Sequence, residues 1–305
     1  MSVTTALLRL PDRVYGEIAI DDPRVVALIR TPTFERLKRI KQAGPSAFVY
    51  PFKTMTRHEH SLGVYELLRR LGASEREQIA GLLHDISHTA FSHAVDFVIE
   101  TEEQDLHESL KPLFLGRPDV VEATARFGFK PDDFLDDTIY SLLEQPLPGL
   151  CADRLDYFLR DGLACGVVDP AFVARMLAHL KAWNGVIVCD DVATAREAAA
   201  LFAEMNRVWW SGPIEAYIYN EFAEVLRAGF RRGAIDREDL LGDDDALLAK
   251  LRAAADPEIE RILETLFHFD ARGAEGYLPR VEPKRRWIDP PVLVEGRARA
   301  LSELS

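Results

Sequence analysis

A chain of 305 residues with 48% apolar content can bury a large core, and nothing in its composition marks it as disordered or forces a division into several domains. Its net charge of −13 repels polyanions, which weighs against long nucleic acid as the main ligand but leaves room for a nucleotide held in a local positive pocket. Cys151, Cys165 and Cys189 are odd in number and widely spaced, so a disulfide framework is not expected. The first apolar run meets Arg9 and Asp12 too early for a secretory signal, and no later run reaches membrane-spanning length. The expected location is the cytoplasm, with no membrane partner.

In chain order, VYGEIAI (residues 14–20) alternates as a short strand does, and Pro23 breaks it before an apolar segment at 25–29. FERLKRIKQ predicts a helix capped by Thr31, with Pro32 in its first turn and Gly44-Pro45 as its end. The next helix is expected over 56–71, with Val64, Leu67, Leu68 and Leu71 as its apolar stripe and Gly72 as its stop. His60 lies one turn before Val64 and so falls on the buried face. Ser74 caps a helix that carries Ile79, Leu82 and Leu83 toward the pair His84-Asp85.

SHTAFSHAVDFVIE and an acidic stretch with His107 follow, then a helical region to about Leu143. Pro146 and Pro148 break the chain before CADRLDYFLRDG, a predicted helix on which Asp153, Tyr157, Arg160 and Asp161 share a face. Asn184-Gly185 between two β-compatible runs predicts a hairpin. Helices resume near Ala193 and continue to Arg231; an acidic break at 242–245 precedes two more, and the tail PKRRWIDPPVLVEG reads as extended. The fold class is mainly α, with a short β-hairpin and small β additions. Residues 1–236 are expected to form the core, and 237–305 a carboxyl-terminal helical segment with an extended tail.

His60, His84, Asp85 and Asp153 offer imidazole nitrogen and carboxylate oxygen without thiolate. That donor set suits one hard or borderline divalent ion with open positions, and therefore hydrolysis rather than a closed structural site. The metal stays open among Mn, Fe, Mg, Co, Ni and Zn. A His-Asp dipeptide taken alone is equally a capped helix end, so the linked spacing has to carry the assignment.

In order, TPTFERLKRIKQAG, VYPFKTMTRHEHSLGVYELL, IAGLLHDISHTAFSH, DLHES and ADRLDYFLRD closely resemble the HD-domain phosphohydrolases. Within them the nearest branch is that of the SAM-and-HD-domain deoxynucleoside triphosphohydrolase and its bacterial dNTPase relatives. The resemblance is dense over residues 14–166 and implies an HD-domain helical core. It implies His60, His84, Asp85 and Asp153 as metal ligands, and His93, Asp96 and His107 as the residues that line the scissile phosphate and move protons. It also implies Gln42, Arg57, Arg154, Tyr157, Asp161 and Tyr217 as contacts to phosphate or sugar, with Arg207 reaching in from a neighbouring turn. His88 is as readily a phosphate contact as a satisfied core histidine. Tyr157 can equally be a core tyrosine, and Arg160 and Asp161 an ion pair closing a helix.

Two positions depart from that branch. Arg30 stands where the guanine-activated enzymes carry an acidic residue, and it cannot accept from guanine N1 and N2, so no activating guanine site of that kind is expected. In MNRVWWSGPIEAYIYN, Trp209, Pro213 and Tyr219 occupy places where charge or imidazole would face a triphosphate. The expected activity is therefore metal-dependent hydrolysis of a nucleotide, first a deoxynucleoside triphosphate cleaved to nucleoside and triphosphate. The alternative is a nucleotidase or phosphodiesterase acting on another nucleotide or a nucleic-acid end through the same centre. A nucleotide sensor without turnover ranks last, because binding alone needs no base, orienter and acid together. A homo-oligomer stays open.

Overall fold

The computed structural model describes residues 8–99 and 105–304; the first apolar run up to residue 7 and the acidic stretch at 100–104 lie outside the described residues. Strands Leu8–Asp12 and Gly16–Ile20 form an antiparallel hairpin. The strand expected over 14–20 starts two residues late, because Asp12 Oδ1 accepts from the backbone N–H groups of Val14 and Tyr15 (2.8 and 2.9 Å) and bends them into the turn. Thr31 caps as expected, its hydroxyl accepting from Phe34 N–H. The helix after it is only Pro32–Glu35 plus a 3-10 turn, Arg36–Arg39. Tertiary contacts override propensity there: Arg36 donates to the carbonyls of Ile86, His88 and Gly242, and residues 40–42 run extended beside 55–57.

The centre of the fold is the helix Arg57–Arg70, opened by a reciprocal capping box between Thr56 and Glu59 and followed by Gly72 at φ +72°. It packs against Glu75–Leu83, capped by Ser74, and against Ala152–Cys165, which ends on Gly166 in the left-handed region. Gly63 is required by the second contact, since a Cβ there would collide with the Asp156 carboxylate and the Arg160 guanidinium. The region expected to be helical to about Leu143 resolves into Leu106–Leu115, Pro118–Ala125 and two 3-10 turns.

Asn184 and Gly185, both at positive φ, turn the hairpin Leu180–Trp183/Val186–Cys189. The carboxyl-terminal tail does more than extend. Strand Pro291–Val294 joins the hairpin in parallel at Cys189 and Val292, and Arg297–Ala300 pairs antiparallel beyond it, giving a four-stranded sheet. The helices expected from Ala193 to Arg231 are Val192–Met205 and Pro213–Arg232, separated by a π-helical turn at Asn206–Trp210 and by Gly212. A Cβ at Gly212 would press on the Val208 carbonyl, so the chain has room for glycine only.

After residue 236 the helices Asp244–Ala253 and Pro257–Phe267 bury Leu247, Leu251, Ile259, Leu263 and Leu266 against Phe91, Phe222, Val225 and Leu226. A larger apolar cluster lies under the helices Arg57–Arg70, Glu75–Leu83 and Ala152–Cys165. Among the described residues no helix is long and apolar enough to cross a membrane.

Candidate metal centre and cavity

Three helices bring the four scattered ligand-type residues together. His60 Nε2 lies 2.9 Å from Asp153 Oδ1, 3.2 Å from His84 Nε2 and 3.7 Å from Asp85 Oδ2. His84 Nε2 is 3.5 Å from Asp85 Oδ1 and 3.6 Å from Asp153 Oδ1. Both imidazoles are oriented from behind: His60 Nδ1–H donates to Asp156 Oδ2 at 2.8 Å, and His84 Nδ1–H donates to the Gly81 carbonyl at 2.7 Å. With both Nδ1 atoms donating, the two Nε2 atoms are turned toward each other and lie 3.2 Å apart. Two facing imidazole nitrogens with the Asp85 and Asp153 carboxylates beside them make a pocket for positive charge, which a proton or a divalent ion supplies; the donor set fits a divalent metal ion, and the second shell is the carboxylate–histidine arrangement that metal sites use.

The electrostatics agree with the geometry. Burial would raise the Asp85 carboxyl, but Arg57, His84 and His88 hold it well below the usual carboxylate range. Burial opposes charge on His84 as well, yet Asp85 and Asp153 outweigh it and lift the imidazole to about 10. A site that pulls a proton this strongly is one that wants positive charge.

Beside this centre three imidazoles form a second cluster. His88 stacks on His107 at 4.1 Å between centroids, and His93 stands edge-on to both at 4.9 and 5.4 Å. His93 Nδ1 pairs with Asp96 Oδ2 at 2.9 Å, and Asp96 is fixed in turn by Leu106 N–H. His88 Nε2 reaches Asp85 Oδ1 at 3.1 Å, linking the two clusters. Burial pushes His93 down to about 4 and His88 well below its ordinary value, so both rings are neutral at neutral pH. His107 Nε2 lies 3.1 Å from Glu108, while its buried Nδ1 has no hydrogen-bond partner.

Both clusters open onto one cavity of about 670 Å³. Gln42, Arg57, His88, Arg154, Tyr157 and Asp161 line it, as does the exposed side of His84, Asp85 and Asp153. Arg57 is spent on Asp85 at 2.8 Å and Ser92 at 3.0 Å, and Arg154 on the carbonyls of Gly149 and Gln145. Asp161 accepts from Trp210 Nε1 at 2.8 Å.

Three expectations need correction. Arg207 lies outside the cavity: it sits on the π-helical turn, largely exposed, and pairs with Glu204 at 2.6 Å. Tyr217 is buried in the second apolar cluster against Phe269 and Tyr277, while Tyr219 lines the cavity and donates to the Ala43 carbonyl. Residues two apart on a helix point about 200° apart, so a small change of register exchanges a wall residue for a core residue. Arg160 does not share the face of Asp153, Tyr157 and Asp161. It is fully buried on the far side, bound to Asp156 at 2.7 Å and Asp12 at 2.8 Å.

Several residues escaped the sequence reading. Asp156, which orients His60, carried only its i,i+4 spacing from Arg160 as a signal. Lys53, Trp210, Glu215 and the tail residues Lys284 and Arg286 also line the cavity, and no local pattern in the sequence points there.

A family model described as the HD domain matches residues 57–161. The metal-dependent phosphohydrolase cns2 of Cordyceps militaris is 32% identical over 93% of this chain and 85% of its own length. The deoxynucleoside triphosphate triphosphohydrolase SAMHD1 of Homo sapiens is 30% identical over 89% of this chain, which spans 55% of that protein. Among solved structures, a hypothetical protein from Aquifex aeolicus shares the fold, with a TM-score of 0.73 at 21% identity over 98% of this chain and 92% of that one. Fold and site together define a metal-dependent hydrolase. The chain belongs to the HD-domain phosphohydrolases.

Proposed function

We propose that this protein hydrolyses the phosphoester of a nucleotide and releases the nucleoside, with His60, His84, Asp85 and Asp153 holding one divalent ion. One observation carries the reading: the metal-competent cluster opens onto a cavity that also carries four aromatic side chains, Tyr157, Trp209, Trp210 and Tyr219, among its polar lining. Such a cavity suits a phosphate at one end and a nucleoside at the other. When bound, the ion supplies Lewis-acid polarisation of the phosphoryl group. Asp156 and the Gly81 carbonyl keep the two imidazoles in the tautomer that presents Nε2. His93, oriented through Nδ1 by Asp96, keeps Nε2 free to take a proton from the attacking water, and His107, beside it in the imidazole cluster, is the residue that serves the leaving ester oxygen.

The cavity lining favours a single phosphate. It carries nine Asp or Glu against five Lys or Arg, so even a divalent ion leaves it net negative and a poor host for a triphosphate. Arg207, expected to serve the phosphate chain, lies outside the cavity and pairs with Glu204. Likeness to SAMHD1 supports the second reading, cleavage of a deoxynucleoside triphosphate to nucleoside and triphosphate. A panel of nucleotides offered to the metal-reconstituted protein separates the two. Orthophosphate from monophosphates supports the first, triphosphate from deoxynucleoside triphosphates the second, and no phosphate from any nucleotide at full metal loading removes both.

The His93→Ala variant is expected to retain metal and lose about 10²- to 10⁴-fold in kcat. The working form of His93 is the neutral ring, which burial preserves down to about pH 4. Its contribution to kcat/KM therefore stays level as pH falls through ~6.5, the ordinary histidine value, and drops only near 4. An acid limb near 6.5 that disappears in the His93→Ala variant would contradict this.

A further inference from the structure

The helix Ala152–Cys165 runs along the cavity like a ruler. Asp153, Tyr157, Asp161 and Cys165 recur every fourth residue and all line it, and at 1.5 Å per residue Cys165 stands about 18 Å along the axis from Asp153. Lys53 and Glu215 are charged neighbours of both Asp161 and Cys165, so they stand toward the end of the cavity remote from the metal centre.

Their side chains are only 6% and 8% exposed. Lys53 has three protons and three acceptors: Glu215 Oε2 at 3.1 Å, Ser46 Oγ at 3.3 Å and the Trp209 carbonyl at 3.3 Å. Ser46 Oγ donates to the same Oε2 at 2.6 Å. Tying residues 46–53 to the helix Pro213–Arg232 accounts for Oε2 and leaves Oε1 over. Among the described residues the hydrogen bonds to the Glu215 carboxylate all go to Oε2, and Oε1 is open to the cavity that Glu215 lines.

An ionised carboxylate only accepts, so this wall calls for a donor from the ligand. Resting on the nucleotide reading above, we propose that Glu215 Oε1 accepts from an exocyclic amino group of the base, so that the site selects adenine or cytosine over hypoxanthine or uracil. In the second pair a keto oxygen takes the place of the amino group and sets lone pairs against the carboxylate. Trp209, over whose ring Lys53 Nζ lies at 5.6 Å, and Tyr219 supply aromatic walls for the base between this end and the metal centre.

The test compares kcat/KM of the metal-loaded protein for adenosine against inosine 5′-phosphate, and for cytidine against uridine 5′-phosphate. A preference of at least about 10-fold for the amino member of each pair is expected, because a site built to accept a hydrogen bond rejects the analogue that lacks the donor. Glu215→Gln offers a carboxamide that can both donate and accept. Adenosine phosphate should lose and inosine phosphate gain, bringing the ratio to near one, a reversal that a merely structural role would not produce. Should that variant fail to fold, Lys53→Met/Glu215→Gln removes the buried charges together, and the wild-type ratios decide by themselves. Equal kcat/KM within both wild-type pairs overturns the proposal. Calorimetric titration of the wild type with adenosine and inosine separates the two levels: selective adenosine binding without phosphate release from any nucleotide would sustain the base contact and remove the proposed reaction.

Discussion

Replacing His84 by Ala is expected to remove bound metal and phosphate release together, with a fall in kcat/KM on the order of 10³ or more, since Lewis-acid stabilisation supplies several kcal/mol. His84 brings one of the two facing Nε2 atoms, and its deletion halves the imidazole set; the helix Glu75–Leu83 keeps its Ser74 cap and loses only the bond from Nδ1–H to the Gly81 carbonyl at its end. Asp85→Ala should show the same two losses and a third. It strips the partner from Arg57, whose side chain is 7% exposed, and from His88, so the metal-free variant should also be less stable by about 3–5 kcal/mol. Elemental analysis, phosphate release and denaturant titration on the two variants read these effects separately. Hydrolysis retained by either variant without metal would rule out the centre proposed for these residues.

The second large effect is expected one layer behind the ligands, at Asp156. Its carboxylate takes Nδ1–H of His60, two bonds from Arg160 and the hydroxyl of Tyr15, and all of this is buried. In the Asp156→Ala variant Arg160 keeps only Asp12, and an uncompensated buried guanidinium should cost about 3–5 kcal/mol. Asp156→Asn preserves the shape and removes the charge. It should fold with a smaller loss and bind metal about 10- to 100-fold more weakly, because the amide no longer enforces the tautomer that turns Nε2 of His60 outward. Metal titration of Asp156→Asn with an unchanged affinity would show that Asp156 serves the core and not the centre.

Local chemistry made much of the fold legible in advance. Thr31, Ser74, Gly72 and Asn184-Gly185 each act through bonds within a few residues, and the structure has the caps, stop and turn that they predict. The buried placement of His60 followed from the same short-range periodicity. Elements failed where a distant partner outweighed propensity. Arg36 reaches the carbonyls of Ile86, His88 and Gly242 and replaces a longer helix by one short turn and a 3-10 turn.

The site divides along the same line. The sequence by itself determined which donor atoms are available and in what order, because imidazole and carboxylate chemistry and helical spacing are properties of residues and their near neighbours. Only the tertiary structure decided that Tyr219 and not Tyr217 faces the cavity, that Arg207 turns away, that Asp156 stands behind His60, and that Lys53 and Glu215 close the far wall. Those assignments depend on the rotation of each helix against partners tens to hundreds of residues away. One residue of register turns a side chain by about 100°, and only packing across the core sets that angle.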